Sequence, residues 1–96
     1  MTYEIERAEK FIAWFDECEA KVQSIVARRI ATVSLGSFGD WVSVGDTVSE
    51  LRIHFGAGFR IYFTIRDRSV VILLVGGTKR TQAKDITKAK ELAENL

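Results

Sequence analysis

Two stretches of alternating apolar and polar residues, separated by a Gly-Ala-Gly break at 56–58, constrain the fold of this 96-residue chain most strongly. Apolar residues occupy every second position on both sides of the break: Leu51, Ile53 and Phe55 before it, and Phe59, Ile61 and Phe63 after it. A period of two is typical of a β-strand that buries one face and exposes the other. The sequence therefore predicts a β-hairpin with strands at 48–55 and 59–65.

The register of this hairpin follows from the requirement that apolar residues lie beside apolar residues. A three-residue loop at 56–58 satisfies it, and this loop would pair His54 with Arg60 and Arg52 with Tyr62 on the polar face. A two-residue loop would place polar groups opposite the core. We therefore expect His54 and Arg60 to be direct neighbours across the two strands.

The next segment, "VVILLV" at 70–75, is apolar at every position, which favours an interior strand with both faces at least partly covered. A two-residue turn at 67–68 would pair Ile61 with Leu74 and place Val75 beside Arg60. We expect the helices of the protein to pack only on the opposite face of the sheet, which carries Leu51, Ile53, Ile61 and Phe63.

Helical periodicity marks two segments before the strands and one after them. Residues 8–20 and 21–33 carry apolar residues at helical spacing, with Gly36 as the C-terminal stop of the second helix. Asp85 is a candidate N-cap for a short helix over 86–94.

Short strands are expected at 2–7 and 41–44. The predicted fold class is α+β, with two N-terminal helices and a short C-terminal helix packed on a small, mainly antiparallel β-sheet. We find no repeat or linker, so residues 1–96 are expected to form a single domain.

The composition narrows the classes of function. The formal net charge of +1 does not indicate a nucleic-acid-binding protein unless its positive charges are clustered. One cysteine and one histidine cannot assemble a zinc site, and Cys18 is expected to be a small core residue. No apolar run approaches a membrane span, and the first residues lack the pattern of a signal peptide, so a cytoplasmic protein is expected.

Basic side chains are predicted to meet at one end of the sheet. The third strand leaves through Gly76-Gly77, which would bring Lys79 and Arg80 to the end where His54 and Arg60 lie. Such a cluster of cations repels itself, and an anionic ligand would relieve the repulsion. The alternative is ordinary surface polarity, since the outer face of a small antiparallel sheet is usually polar.

The chain also resembles a known family. The stretch "FGDWVSVGDTVSELRIHFGAGFRIYF", followed by "VVILLVGGTKRTQAKDITKAKELA", resembles the addiction-module killer proteins of the RelE/ParE toxin superfamily, in the HigB-like branch. The similarity extends from the paired helices to the last helix, and it depends on the combination of motifs, including GG-x-K-x-x-Q before a D-I-x-x-A-K helix.

This resemblance implies a toxin that cleaves messenger RNA in the ribosomal decoding site, without metal or cofactor. It implies His54 as base, Arg60 as the ligand of the scissile phosphate and Lys79 as acid or charge stabiliser. The further substrate-binding residues that it implies are Arg52, Tyr62, Arg80 and Gln82. The sequence departs from the family in lacking a tyrosine or histidine near its C-terminus.

Several alternatives follow from the same residues. ParE-like relatives share the fold but inhibit DNA gyrase by binding, and an inactive relic could serve as a binding module that regulates transcription. Arg52 could have a structural role, paired with Glu50 or with the loop at 38–40. The implied partners are a cognate antitoxin, expected to contain a helix-turn-helix, together with the ribosome and messenger RNA.

The antitoxin is expected on the cationic sheet face. On this face, the apolar residues Val71, Leu73 and Val75 are expected to lie between the basic residues. No membrane partner is expected.

Overall fold

The computed structural model describes all residues, Met1–Leu96, and consists of one five-stranded sheet with helices on both faces. The elements in chain order are β1 (Glu4–Arg7), α1 (Glu9–Glu17), α2 (Ala20–Ser34), β2 (Trp41–Gly45), β3 (Val48–Ile53), β4 (Phe59–Arg66), β5 (Val70–Thr78) and α3 (Gln82–Glu94). The strand order is β1-β5-β4-β3-β2, in which β1 pairs with β5 in parallel and the other pairs are antiparallel. The predicted α+β class is confirmed.

The distribution of the helices differs from the prediction. α1 and α2 cover one face, where Phe11, Val26 and Val33 form a core with Leu51 and Ile61. α3 covers the opposite face.

On that second face Ala89 packs with Tyr62, Ile72 and Leu74 in another cluster. The prediction that helices pack on a single face is therefore wrong. Because every position of β5 from Val70 to Val75 is apolar, both faces of this strand need a cover, and α3 supplies the second one.

The last helix also begins earlier than predicted. A 3-10 turn at Lys79–Thr81 leads directly into α3, so Asp85 lies in the first turn of the helix rather than at its N-cap. Its side chain is buried and accepts a hydrogen bond from the Thr81 hydroxyl at 2.5 Å. A carboxylate in this first turn interacts favourably with the positive end of the helix dipole.

The first hairpin keeps the predicted faces but not the predicted pairs. β3 and β4 pair Arg52 with Arg60, whereas the prediction placed His54 opposite Arg60. The loop spans 54–58, and Gly56 and Gly58 adopt positive φ angles of 56° and 84° within it. A displacement by two residues preserves which side chains face the core, so the apolar pattern could not detect it.

The second hairpin contains a bulge that the sequence prediction missed. Its turn spans 67–69, one residue longer than the predicted two-residue turn, because Arg66 pairs with Val70. Asp67 and Arg68 in this turn have positive φ. Farther along the strands, Phe63 pairs with Leu73 but the adjacent Tyr62 pairs with Val75. One extra residue of β5, Leu74, is therefore inserted at this point without a partner on β4.

This bulge reverses the alternation of β5 after Leu73. It places Val75 in the cluster beneath α3. The longer turn and the bulge together shift the predicted register by two residues, so Ile61 pairs with Gly76 instead of Leu74, and Arg60 with Gly77 instead of Val75. Because Val71, Leu73 and Val75 are all buried in the free chain, the expected antitoxin surface containing them is also wrong.

The Gly76-Gly77 pair allows helices to approach β5 from both sides. A Cβ atom at Gly76 would overlap the indole ring of Trp14 from α1. A Cβ at Gly77 would overlap the Asp85 carboxyl group from α3. Glycine is required here for close packing rather than for an unusual backbone angle, and α3 is thereby held beside Arg60.

None of the three helices combines the length and the apolar character that crossing a bilayer would demand.

Candidate active site

The three residues predicted to be catalytic border one cavity at the end of the sheet. His54, Arg60 and Lys79 line a depression of about 360 Å³ together with the loop residues 55–58. Arg60 comes from β4, His54 follows β3, and Lys79 begins the 3-10 turn after β5. The structure therefore brings these side chains together, although it does not make His54 and Arg60 a direct strand pair.

Arg60 lies at the base of this cavity. Only 7% of the residue is exposed, which corrects the expectation that it projects from an open sheet face. Its Nε is buried without a hydrogen-bond partner, and the nearest ion-pair contact is Glu50 Oε2 at 3.9 Å. A buried guanidinium group with unsatisfied donor capacity beside a cavity is suited to an anionic ligand.

Glu50 is a buried carboxylate that the sequence analysis did not identify as part of the site. It is fully buried, and its two oxygens accept hydrogen bonds from Arg52 Nε at 2.9 Å and Gln82 Nε2 at 2.8 Å. Burial alone would raise the pKa of Glu50. The hydrogen bonds, from Arg52 first and Gln82 next, outweigh burial, so the pKa lies below its ordinary value. Glu50 is therefore a buried anion beneath the basic side chains.

Of the four predicted substrate-binding residues, two support Glu50. Arg52 pairs with Glu50, which is the structural alternative considered for it, and Gln82 reaches the same carboxylate from the start of α3. Arg80 is exposed on the 3-10 turn next to Lys79. The available surface for a ligand therefore includes Arg80 and the exposed part of Arg52.

Tyr62 lies away from solvent. It is fully buried beneath α3, and its hydroxyl lies near the Glu50 carboxylate without a hydrogen bond of good geometry. Burial first, and the nearby Glu50 carboxylate next, raise the pKa of Tyr62 well above its ordinary value, so the phenol stays neutral. The expectation that Tyr62 belongs to an open polar face is wrong, because α3 covers that face.

His54 is held by a carboxylate. Its Nε2 lies 2.6 Å from Asp40 Oδ2, and both side chains are exposed, by 72% and 48%. The hydrogen bond with His54 is the largest influence on Asp40 and lowers the pKa of that carboxyl group below its ordinary value. Asp40 was not predicted as a site residue; its position in the "FGD" loop was the only available signal.

Lys79 is fixed through its backbone and free at its side chain. Its amide donates to the Gly58 carbonyl at 3.1 Å, which joins the 3-10 turn to the hairpin loop. The turn is closed by the Thr78 amide, which donates to the Thr81 hydroxyl at 3.2 Å. Lys79 is exposed and takes part in none of the ion pairs of the chain. Its ammonium group can therefore turn toward a bound anion.

No group of three or more histidine, cysteine, aspartate or glutamate side chains is arranged to hold a metal ion. Cys18 packs at the margin of the core, where burial, followed by the charge of Glu17, raises the pKa of its thiol. Its chemistry is therefore that of a partly buried thiol away from the cavity.

The fold is that of the RelE toxins. A double arginine-to-alanine mutant of the Escherichia coli toxin RelE, solved in the free state, superposes with a TM-score of 0.76 at 14% identity, covering 95% of this chain and 97% of RelE. The intact E. coli RelBE toxin-antitoxin complex gives 0.66 at 15% identity, with coverages of 79% and 95%. The same RelE mutant bound to an antitoxin RelB peptide gives 0.65 at 12% identity, with coverages of 88% and 95%.

The family of the chain follows from sequence. Residues 13–96 match the family described as "Phage derived protein Gp49-like (DUF891)", and the chain belongs to this family of RelE/ParE-type toxins. An uncharacterized protein of Haemophilus influenzae strain Rd is 40% identical over 97 residues, covering 100% of this chain and 98% of that protein. The resemblance to the RelE/ParE superfamily is confirmed.

Proposed function

We propose that this protein is the HigB-like toxin of a type II toxin-antitoxin system and that it cleaves messenger RNA on the ribosome in the cytoplasm. The observation that carries this proposal is the buried Arg60 guanidinium, which faces a cavity shared with His54 and Lys79 and lacks a close partner. Family membership supports the same class of protein. Phosphodiester cleavage needs this combination of a phosphate ligand, a proton acceptor and a cation.

The proposed chemistry is an in-line attack by the RNA. His54 accepts the proton of a 2′-hydroxyl, and the 2′-oxygen forms a bond to the adjacent phosphorus. Arg60 stabilises the charge that develops on the phosphate oxygens. The bond from phosphorus to the 5′-oxygen breaks, and Lys79 supplies a proton to that leaving oxygen. These residues complete the reaction without a metal ion or cofactor.

Two carboxylates balance part of the positive charge at this site. Asp40 pairs with His54, and Glu50 lies beneath Arg52 and Arg60. Lys79 remains without a counter-ion. We infer that the site binds a phosphate group strongly enough for recognition, while its limited excess of charge disfavours indiscriminate binding to polyanions.

The proposed protein partner is a cognate antitoxin with a helix-turn-helix domain. The apolar surface that α1, α2 and α3 leave open is a groove of about 320 Å³, lined by Tyr3, Gly36, Phe38, Trp41, Ser49, Phe63 and Ile65. Trp41 and Ile65 are exposed by 51% and 42%. Exposed apolar surface of this kind favours a protein partner, so we propose this groove as the antitoxin contact.

The decisive experiment compares two arginines on β4. Arg60→Ala removes the proposed phosphate ligand, whereas Arg66→Ala removes a surface arginine that pairs with Glu6 at 2.8 Å. After induced expression, mapping of messenger RNA 5′ ends should show cleavage by the wild type and Arg66→Ala and its loss in Arg60→Ala. Losing such a donor typically lowers the rate by roughly a hundredfold or more.

The same experiment separates the alternatives. Growth arrest with intact messages and inhibited gyrase would contradict the nuclease proposal and favour the ParE-like function. Folded wild-type protein that neither cuts messages nor arrests growth would favour the inactive relic. Cleavage retained by folded Arg60→Ala would remove Arg60 from the proposed mechanism.

A further inference from the structure

The loop before β2 contacts the only histidine of the chain. Asp40, the last residue before β2, holds His54 Nε2 at 2.6 Å, although the two residues lie 14 positions apart in sequence. Imidazole nitrogens differ in role: when Nε2 donates its proton to a carboxylate, Nδ1 is the nitrogen that can accept one. The orientation of His54 therefore depends on where the loop places Asp40.

The position of this loop is fixed by an arginine on α2. Arg29 donates to the Phe38 carbonyl from both Nε and Nη2, at 3.1 and 2.8 Å, and to the Asp40 carbonyl from Nη2 at 2.7 Å. Its Nη1 donates to the Arg52 carbonyl on β3 at 2.7 Å. One guanidinium group thus ties the loop to the strand that leads directly to His54.

Gly39 completes this arrangement. It adopts a positive φ of 69°, and a Cβ atom there would lie 3.0 Å from Arg29 Nη2. The glycine lets the loop turn closely around the guanidinium group. Burial lowers the pKa of Arg29, but an arginine remains charged at any physiological pH.

We propose that Asp40 and Arg29 are positioning residues for His54: Asp40 orients the imidazole so that Nδ1 accepts the 2′-hydroxyl proton, and Arg29 fixes Asp40. This proposal rests on the proposed nuclease function for its consequence on rate. In the proton-transfer step, the O–H bond of the ribose breaks and an N–H bond forms at Nδ1. The resulting imidazolium cation is then stabilised by the Asp40 carboxylate on its other side, in the manner of a histidine-aspartate pair.

The charged groups around this pair support its role. Arg29 and Arg52 face Asp40 and favour its charged form, and the hydrogen bond from His54 does so more strongly. Arg60 and Lys79 line the same cavity as His54. The Asp40 carboxylate thus supplies a negative charge at the edge of a cavity that also holds these two cations.

The activity test uses matched pairs of variants. Asp40→Ala is compared with Asp16→Ala, an exposed aspartate on α1, and Arg29→Ala with its neighbour Arg28→Ala. We expect Asp40→Ala and Arg29→Ala to lower kcat on ribosome-bound messages by about tenfold or more with little change in KM, because part of the base contribution is lost. Asp40→Asn, which retains an acceptor oxygen, should lose less, and both control variants should match the wild type.

Coupling distinguishes positioning from a general structural effect. In a His54→Ala background, adding Asp40→Ala should produce no further loss of rate, because both changes act through the same imidazole. A further loss in that background, or an unchanged rate in folded Asp40→Ala, would overturn the proposal.

A spectroscopic measurement keeps the proposal independent of the nuclease assay. The single histidine allows its two ring nitrogens to be observed through the carbon-bound ring protons in two-bond ¹H–¹⁵N spectra. In the wild type the Nε2 nitrogen signal should be that of the protonated nitrogen and the Nδ1 signal that of the acceptor, and this difference should decrease in Asp40→Ala and in Arg29→Ala but not in either control. If this NMR pattern appears but neither the wild type nor any variant cleaves RNA, the proposed function is wrong, and the conclusion that Asp40 and Arg29 position His54 is still supported. An Nε2 signal that is the same in all variants would overturn the positioning.

Discussion

The candidate site has two halves that differ in their relation to solvent. The buried half consists of Glu50 and Arg60, which lie beneath α3 or at the base of the cavity, and it includes the partly buried Gln82 at the start of α3, which donates to Glu50. The exposed half consists of His54 and Lys79, which lie on loops at the rim. Both halves are polar, but only the buried half replaces contacts with water by contacts within the chain.

This difference separates stability from chemistry. Removing one member of a buried charged group leaves its partners desolvated and unpaired, whereas an exposed group regains water. Substitutions in the buried half should therefore lower both stability and activity, whereas substitutions in the exposed half should lower activity alone. The following variants test this comparison.

Glu50→Ala should have the largest effect on stability. It leaves Arg60 buried without its nearest carboxylate and deprives Arg52 and Gln82 of their acceptor. Breaking a buried charged group typically costs about 3–5 kcal/mol. Urea denaturation of the purified protein measures this loss, with Glu6→Ala as an exposed glutamate control. A loss as small as that of the control would show that Glu50 does not stabilise the fold.

Arg60→Ala should have an intermediate effect, since the side chain is buried but its contact with Glu50 is long, at 3.9 Å. Loss of a buried side chain commonly costs roughly 0.5–3 kcal/mol. Replacing an arginine on an open sheet face, where the sequence placed Arg60, would be nearly neutral for stability, but the observed burial of Arg60 makes its loss costly. Thermal melts should therefore show a clear decrease for Arg60→Ala and little change for Arg66→Ala. Equal melting temperatures for Arg60→Ala and Arg66→Ala would show that Arg60 stabilises the fold no more than an exposed arginine does.

Low pH should reduce the free energy of unfolding of the protein, because Glu50 then becomes protonated. Its folded pKa lies below the ordinary value of 4.5, so the unfolded chain binds the proton more readily than the folded protein does. The stabilisation is fully present above that ordinary value and is lost as pH falls through the lower folded pKa. Urea midpoints measured from pH 7 to pH 3 should fall more steeply for the wild type than for Glu50→Gln. Parallel curves would contradict this assignment.

Much of the fold could be predicted because local patterns specify it. Alternation marked β3 and β4, and helical periodicity marked α1 and α2. The register of β5 could not be predicted, since a continuous apolar run contains no alternation that would reveal a bulge. The pairing of His54 failed for a related reason: loops of three and five residues give the same buried face.

The site was predictable only in part. Basic residues near one sheet end could be read from the sequence, and the structure places His54, Arg60 and Lys79 around one cavity. Glu50 was missed because its position alternates as a surface residue would. Its burial results from α3 covering the second face, a tertiary contact that no local pattern records.

Lys79→Ala should have the smallest effect on stability and still abolish most activity. The side chain is exposed and unpaired, and its structural contact is made by the backbone amide, which alanine retains. Surface changes of this kind usually stay within about 0.5 kcal/mol. If Lys79 is the leaving-group acid, as we propose, its loss should nevertheless lower cleavage by about a hundredfold. Lys88→Ala, on the exposed side of α3 and paired with Glu91, is the matched control for both measurements. A Lys79→Ala protein that melts like the wild type and cuts messages at the same rate would show that this part of the exposed half has no role in the chemistry.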